Sequence, residues 1–297
     1  MKRAHLVLAL LLPACEPDLG ERESRITTPR ILGIRGEPAE AKAGEAVAYT
    51  LLVASPEGPI VTPLASWAWC ATPKSLLENG AVSRACSGSG VRPIAEGPPS
   101  VETPIPADAC ALFGPEVTSA DLRPRDADIT GGFYQPLRVT LFATGVGVAF
   151  GLQRVRCALS GVSAAETGEL STRYVQNVNP VLSFFGGSVA GAPVVLAEIP
   201  RGASVDLRVA WERTETYVVF DRSVGRVIER REAMRASWFS TRGDFGTDRT
   251  GRDEAELETF TDNTWTAPPE ASTSHLFVVL RDARGGVAFG TYMLTTR

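Results

Sequence analysis

A short pattern of residues occurs twice in this chain. Residues 147–151 and 286–290 both read Gly-Val-Ala-Phe-Gly, and residues 65–67 and 236–238 both read Ala-Ser-Trp. In each half a strand that begins at a glycine comes first, followed by Ala-Ser-Trp, an apolar strand, a glycine turn and Val-Ala-Phe-Gly. Several matches in one order indicate two copies of one domain. The chain is therefore predicted to be a tandem of two related domains.

Strand signals dominate both halves. Short apolar or alternating runs, bounded by Gly, Pro and Asp, lie at residues 46–54, 137–143, 204–211, 276–280 and 287–294. Such runs are typical of β-strands. Because they are regularly spaced and no helical pattern separates them, we expect an all-β fold of antiparallel β-sandwiches.

The second copy carries further motifs. They are Ala-Ser-Trp-Phe and Arg-Gly-Asp within residues 236–244, Thr-Trp-Thr-Ala-Pro at residues 264–268, and the strand and turn residues 276–286. This pattern resembles the immunoglobulin-like and PKD-like domains of bacterial surface proteins. The resemblance implies two tandem immunoglobulin-like sandwiches, with Trp238 as the buried tryptophan of strand C and residues 282–286 as the turn between the last two strands. In the first copy it rests on Trp67 and the closing hairpin.

A stretch of low apolar content, residues 165–176, separates the predicted domains. Domain 1 takes residues 29–165 and domain 2 takes residues 177–297. Between its repeat motifs domain 1 is about 32 residues longer, and this proline-rich insertion falls where a loop should be. Domain 2 has an addition at residues 214–234, which is interpreted as a hairpin that turns at residues 223–226.

The first residues form an export signal. Lys2 and Arg3 precede an apolar run that is too short to span a bilayer, since a spanning helix needs about 20 residues. The run ends in Leu-Pro-Ala-Cys at residues 12–15, which resembles the lipobox of bacterial lipoproteins, with Pro13 departing from its commonest form. The resemblance implies a signal peptide over residues 1–14 and a lipid anchor on Cys15. An ordinary signal peptide cut nearby is the alternative.

The residues after the signal peptide are predicted to be a flexible lipidated tether, residues 15–28. Residues 16–28 are charged and have no apolar period. The first partner of the chain is then membrane lipid, bound through Cys15. Glu16 stands where aspartate would imply retention in the inner membrane, so the lipoprotein resemblance implies the outer membrane rather than the inner one.

Four cysteines remain after Cys15 is assigned. An even number in an exported protein predicts two disulfides, and their spacing matches no zinc or redox motif. Three pairings are possible, and we favour Cys70 with Cys86 and Cys110 with Cys157, because the shortest loop closes most readily. These bonds would staple the insertion of domain 1.

Charge and histidine content narrow the function. The net charge of −4 falls to −6 once Lys2 and Arg3 leave with the signal peptide, which argues against nucleic acid as a partner. His275 is the one histidine of the mature chain, so a multi-histidine metal site is excluded. No nucleophile motif accompanies it, and a strand-end structural role is favoured. No cofactor is implied.

Two groups of residues are candidates for ligand binding. Asp244, Asp248 and Asp253 offer hard oxygen ligands for calcium, but their spacing is not that of a calcium loop and neighbouring arginines neutralise them, so a solvated loop is favoured. The Arg-Gly-Asp triplet is interpreted as a plain turn. Trp69 shares a strand face with Trp67, and it either packs in the core or stacks on a sugar.

The sequence predicts a protein without enzymatic activity. We expect a membrane-anchored lipoprotein of the cell envelope that acts as a binding or assembly module for an envelope protein or polysaccharide. An accessory subunit of a secretion or adhesion complex is one alternative. A carboxylate-based hydrolase of envelope polymer is the other, and it would need two carboxylates at a defined separation across a cleft.

Overall fold

The computed structural model describes residues 22–75, 77–117, 124–142, 147–159 and 161–297. Within these ranges the chain forms two tandem antiparallel β-sandwiches of immunoglobulin-like topology, as the sequence predicts. No helix of the described residues is long and apolar enough to cross a membrane. The predicted signal peptide and Cys15 lie outside the described residues.

The first sandwich contains nine of the described strands. They are β1 (Arg30–Glu37), β2 (Glu40–Ala41), β3 (Ala46–Ser55), β4 (Gly58–Pro59), β5 (Ala65–Cys70), β6 (Val91–Glu96), β7 (Ser100–Pro104), β8 (Phe133–Leu141) and β9 (Val148–Val155). In one sheet β3 pairs with β1 on one side and with β4 and β7 on the other. The other sheet has the order β2-β9-β8-β5-β6, and β2 joins it in parallel.

The second sandwich follows the same plan. Its strands are β10 (Leu182–Val189), β11 (Ala192–Pro193), β12 (Ser204–Trp211), β13 (Thr216–Asp221), β14 (Arg226–Arg231), β15 (Met234–Ser240), β16 (Asp244–Phe245), β17 (Arg249–Arg252), β18 (Phe260–Thr266), β19 (Ser272–Asp282) and β20 (Val287–Thr296). The two sheets have the orders β11-β10-β12-β18-β16 and β17-β15-β19-β20. β13 and β14 form a separate hairpin, which confirms the hairpin predicted within residues 214–234.

The repeated motifs occupy matching strands. Trp67 lies opposite Val139, and Trp238 lies opposite Val278, with both tryptophans fully buried as strand-C residues. The Val-Ala-Phe-Gly strands differ in register between the two copies. In the first copy Ala149 lies opposite Val139, the residue that also faces Trp67. In the second copy Ala288 lies opposite Leu280, two residues beyond the residue that faces Trp238. Since side chains alternate with a period of two, both alanines still face the core side of their sheet. The two copies therefore share one fold, and the Val-Ala-Phe-Gly strand is shifted by two residues between them.

Both disulfides are those favoured from the sequence. Cys70 at the end of β5 is bonded to Cys86 in a short 3-10 turn, with their Cα atoms 5.2 Å apart. Cys110 in α1 (Ala109–Phe113) is bonded to Cys157 just after β9, with a Cα separation of 5.5 Å. The two bonds hold the long insertion against the first sandwich.

The predicted boundary segment between the domains contains a helix, α2 (Ala164–Arg173). Ser163 caps it: its hydroxyl accepts from the Glu166 amide, and the Glu166 carboxylate accepts from the Ser163 amide. This capping box is a helix-start signal that the strand-based interpretation overlooked. An ion pair one turn apart, Glu169 with Arg173 at 2.9 Å, adds to the helix.

The predicted flexible tether is wrong for residues 22–28. The Ile26 amide donates to the Ser240 carbonyl, and the Ser240 amide donates to the Ser24 carbonyl, so the segment continues the edge of β15. Ile26 is 1% exposed. Burial of Ile26 holds the segment together with the Arg22 and Arg25 side chains, which donate to carbonyls of the second sandwich.

The two sandwiches pack against each other through the outer faces of two sheets. Their shared apolar cluster contains Ile26, Leu32, Leu52, Ala54, Phe277, Val279 and Val287. β19 is buried on both faces, since Leu276, Val278 and Leu280 point into the second core while Phe277 and Val279 point to the first sandwich. Gly33 permits the close approach, because a Cβ there would lie 3.3 Å from Phe289.

Candidate functional site

The predicted lipidation site, Cys15, lies outside the described residues. The other four cysteines are all in disulfides. Cys110 and Cys157 lie close to Glu116, a grouping of metal-ligand residue types, but both sulfurs are bonded to each other and are not free to bind an ion. The structure therefore gives these cysteines a structural role.

The calcium candidates are not brought together. Asp244 faces Arg25 at 3.6 Å, and Asp253 faces Arg235 at 3.4 Å. Asp248 lies near Arg30. Each carboxylate thus has a cationic neighbour, which favours the interpretation of solvated, charge-balanced loops over a calcium site.

The other singled-out residues are structural. Trp69 is buried in the first core with its ring 5.6 Å from that of Tyr49, so the stacking alternative for this residue is wrong. Gly243 of the Arg-Gly-Asp triplet turns at φ +71° and lies under Trp265, which keeps the triplet in a turn rather than at a loop tip. The His275 ring lies against Gly58 of the first sandwich, and its amide donates to Thr241.

Arg284, in the turn between β19 and β20, is the centre of a polar cluster at the junction of the sandwiches. Its side chain is 1% exposed, and it donates to Glu232 at 2.7 Å, to Glu215 at 2.6 Å and to the Val175 carbonyl at 2.7 Å. The guanidinium also lies 4.5 Å from the centre of the Tyr217 ring. One side chain therefore joins the last turn of the fold to the β13–β14 hairpin and to the linker that follows α2.

The linker is bonded to both sandwiches. Glu40 of the first sandwich accepts hydrogen bonds from the Tyr174 hydroxyl and the Asn177 amide, and its carboxylate lies 3.3 Å from Arg154. Asn179 donates to the Gly36 carbonyl at 2.7 Å and accepts from the Val287 amide at 2.8 Å. Because these buried hydrogen bonds run from the linker to both sandwiches, the network fixes how the two sandwiches meet.

Burial changes the ionisation of the junction carboxylates. Desolvation, together with the nearby Asp282 carboxylate, raises the pKa of Glu232 to about 7, although Arg284 opposes the shift. Burial also raises the pKa of Asp282, whose Oδ1 accepts from the Arg284 and Gly286 amides at 2.8 Å each. A perturbed carboxylate is a signal shared by catalytic sites and structural ion networks.

The geometry of Glu215 and Glu232 favours the structural interpretation. They line a cavity of about 310 Å³ with Val178, Asn179, Pro180, Val181, Glu212 and Arg213. Both carboxylates converge on one guanidinium, and Glu232 is 4% exposed. A glycosidase that works with two carboxylates needs them on either side of the glycosidic bond that it cleaves. This pair holds the hairpin in place instead of flanking a ligand.

A different surface offers room for a ligand. An open groove of about 830 Å³, here called the sheet groove, crosses the outer face of β10, β12 and β18 and is lined by Phe184, Gly186, Gly187, Ser188, Pro193, Asp206, Arg208, Gly246, Thr247, Asp262, Asn263 and Thr264. The sequence explains this face: β12 alternates, with Val205, Leu207 and Val209 buried and Asp206 and Arg208 outward. The volume of the sheet groove is within the range of small-molecule binding sites.

The polar groups of the sheet groove are held in place. Arg208 and Asp262 form a two-pronged pair at 2.7 and 2.8 Å, while the guanidinium lies 3.7 Å above the centre of the Phe260 ring. Hydrogen bonding to Asp262 raises the pKa of Arg208. Asp206 accepts from the Thr264 hydroxyl at 3.1 Å. At one rim the buried Asn263 amide donates to the Thr247 carbonyl at 2.8 Å, which fixes the loop after β16.

Sequence reasoning missed the sheet groove. Its residues come from five separate segments, and register alone decides that Gly186, Arg208 and Asp262 form one row across the sheet. One local signal was available: Gly186 and Gly187 interrupt a strand pattern, and such glycines mark a close approach of backbone or ligand.

The fold and this surface define a tandem immunoglobulin-like protein with an open groove on its second sandwich. No protein-family model and no curated protein matches the sequence. The structure is similar to the D00-D0 domain of intimin, with 8% identity over 86% of this chain and 94% of that chain and a TM-score of 0.25.

Two further solved structures are similar at the same level. The Yersinia pseudotuberculosis adhesin InvE matches with 10% identity, covering 94% of this chain and 62% of that chain, at a TM-score of 0.23. Escherichia coli alpha-2-macroglobulin activated by porcine elastase matches with 9% identity, covering 94% of this chain and 22% of that chain, at a TM-score of 0.24. This chain thus spans less than two thirds of either structure. At such identities and TM-scores the similarities give no support to a shared function.

Proposed function

We propose that this chain is a non-catalytic binding module of the cell envelope, anchored by lipid on Cys15, that holds its ligand in the sheet groove. The observation that carries the proposal is the contrast between the two outer sheet faces of the second sandwich. One face is covered by the first sandwich, while the other leaves charged and aromatic side chains exposed around a groove. Ligand sites are concave and carry a few placed polar groups.

The export signal and the two disulfides support an envelope location. Disulfides form and persist outside the cytoplasm. Cys15 and Arg22 are seven positions apart, so the chain between them can span at most about 25 Å when extended. Arg22 donates to the Phe245 carbonyl, so the chain enters at the second sandwich. A lipid on Cys15 would keep the sandwich that carries the sheet groove close to the membrane surface.

The anchor is tested by Cys15→Ala in the native bacterium. We expect the variant to lose lipid-dependent processing and to leave the membrane fraction, because an acylated cysteine supplies the chains needed for stable anchoring. Cys15→Ala protein that stays in the membrane fraction as wild type does would overturn the anchor.

Binding through the sheet groove is tested by site-specific photo-crosslinking in intact cells. A crosslinking residue replaces Thr247, which lies exposed on the rim, and a matched one replaces Thr172, which is exposed on α2. We expect adducts from position 247 that position 172 does not form. Identical adducts from both positions, or none from position 247, would contradict binding at the groove.

The proposed lack of enzymatic activity is tested separately. Purified chain incubated with envelope polymer should release no soluble fragments. Fragment release that Glu232→Gln abolishes would favour the hydrolase alternative and assign its acid to the junction cluster.

A further inference from the structure

The ligand of the sheet groove can be inferred from the chemistry of its lining. We propose that the sheet groove binds a neutral saccharide; this proposal rests on the proposed binding function and names its ligand class. Three features support it: an exposed aromatic ring that lies over the sheet, fixed pairs of polar groups, and a charge balance that disfavours anions.

Phe184 supplies the aromatic ring. Its side chain is 53% exposed, and it lies over Gly186, where an added Cβ would come within 2.5 Å of the ring atom Cζ. Only glycine at position 186 lets the ring rest on the sheet. An exposed ring beside the groove offers apolar surface to a ligand, and the C–H face of a sugar ring is an apolar surface that stacks on such a ring.

The fixed polar groups lie beside that ring. Gly186, Arg208 and Asp262 are in one row of the sheet, and Ser188, Asp206 and Thr264 are in the next. A sugar hydroxyl can donate to a carboxylate and accept from a guanidinium at the same time, which suits a row where both groups stand side by side. Because Arg208 and Asp262 already hold each other, little side-chain entropy is lost when such a ligand binds.

Charge separates a neutral sugar from other ligands. The charged residues of the lining are Asp206, Arg208 and Asp262, so the groove carries a net charge of −1 and its guanidinium is already paired. An anionic ligand would meet like charge, with no unpaired cation in the lining to hold it. A peptide strand is also disfavoured on this face, because the backbone groups of β10, β12 and β18 are used in the ladder between them.

The test uses the full chain in detergent, titrated with four neutral probes, namely chitotetraose, cellotetraose, maltotetraose and mannotetraose, and with one anionic probe, a heparin tetrasaccharide. We expect at least one neutral probe to bind, and Phe184→Ala to weaken it about ten-fold or more. Phe142→Ala is the matched control, because Phe142 is 54% exposed on the first sandwich, away from the groove. It should bind as wild type does.

Other outcomes overturn the proposal. They are binding of the anionic probe alone, no binding of any neutral probe, or equal affinity of Phe184→Ala and wild type. Circular dichroism of both variants checks that each is folded. If no sugar binds while position 247 still forms specific protein adducts in cells, the saccharide assignment fails and the binding function stands.

Discussion

Arg284 donates a hydrogen bond of 2.7 Å to Glu232, and both side chains are almost completely removed from solvent. Glu215 accepts a second hydrogen bond from the same guanidinium at 2.6 Å. The pair joins the turn between β19 and β20 to a hairpin that has no counterpart among the described residues of the first sandwich. It decides how the second sandwich holds its addition, and its burial makes it sensitive to substitution and to pH.

Arg284→Ala should lower the free energy of unfolding by about 3–5 kcal/mol, because it leaves buried carboxylates without their cation. Urea unfolding followed by circular dichroism measures the loss. Arg208→Ala is the matched control: it breaks a two-pronged pair whose side chains are each 46% exposed, and it should cost about 0–1 kcal/mol. Equal losses in the two variants would show that the junction cluster is not a buried network.

Stability should fall as pH rises through the range from about 4.5 to about 7. The folded-state pKa of Glu232 is raised to about 7 from 4.5, so between these values the folded chain binds more protons than the unfolded chain. The stabilising effect of that proton is fully present below 4.5 and is lost as pH rises through about 7. Glu232→Gln should remove this slope, which is at most about 1.4 kcal/mol per pH unit. The free energy of unfolding of wild type and of Glu232→Gln is measured across this pH range. Parallel curves for the two proteins would show that the prediction is wrong.

The two disulfides should contribute unequally. In the chain-entropy relation the 47-residue separation of Cys110 and Cys157 corresponds to about 4 kcal/mol, and the 16-residue separation of Cys70 and Cys86 to about 3 kcal/mol. Replacing each pair with serines and measuring urea unfolding tests the order. A greater loss from the Cys70 and Cys86 variant would mean that local packing, not loop length, sets their effect.

Ile26→Ala should release the segment that precedes β1. Loss of a fully buried isoleucine costs about 2–5 kcal/mol, and here the cost falls first on the contact between residues 24–26 and Ser240. Limited trypsin digestion should then cleave after Arg25 faster than in wild type. Mass spectrometry of the fragments over time measures that rate. Val61→Ala, at a position 84% exposed, is the control and should not change that rate. Unchanged cleavage in Ile26→Ala would mean that the contact does not hold the segment.

Several features of this protein could be predicted from sequence because local rules determine them. Period-two alternation predicted the strands, and the repeated Ala-Ser-Trp predicted two sandwiches with Trp67 and Trp238 at equivalent core positions. Loop length favoured the disulfide pairing that the structure has. The capping box at Ser163 was also readable from sequence, and a search limited to strand patterns passed over it.

The remaining features depended on tertiary structure, because they are made by residues far apart in the chain. Ile26 is held by backbone bonds to Ser240 and by the apolar cluster between the two sandwiches, and a charged local sequence indicates nothing about either. Strand register decides that Gly186, Arg208 and Asp262 form one row, and a slip of one residue would turn them inward. The sequence alone determined two sandwiches and their cores, while long-range packing and register decided how they join and where a ligand can bind.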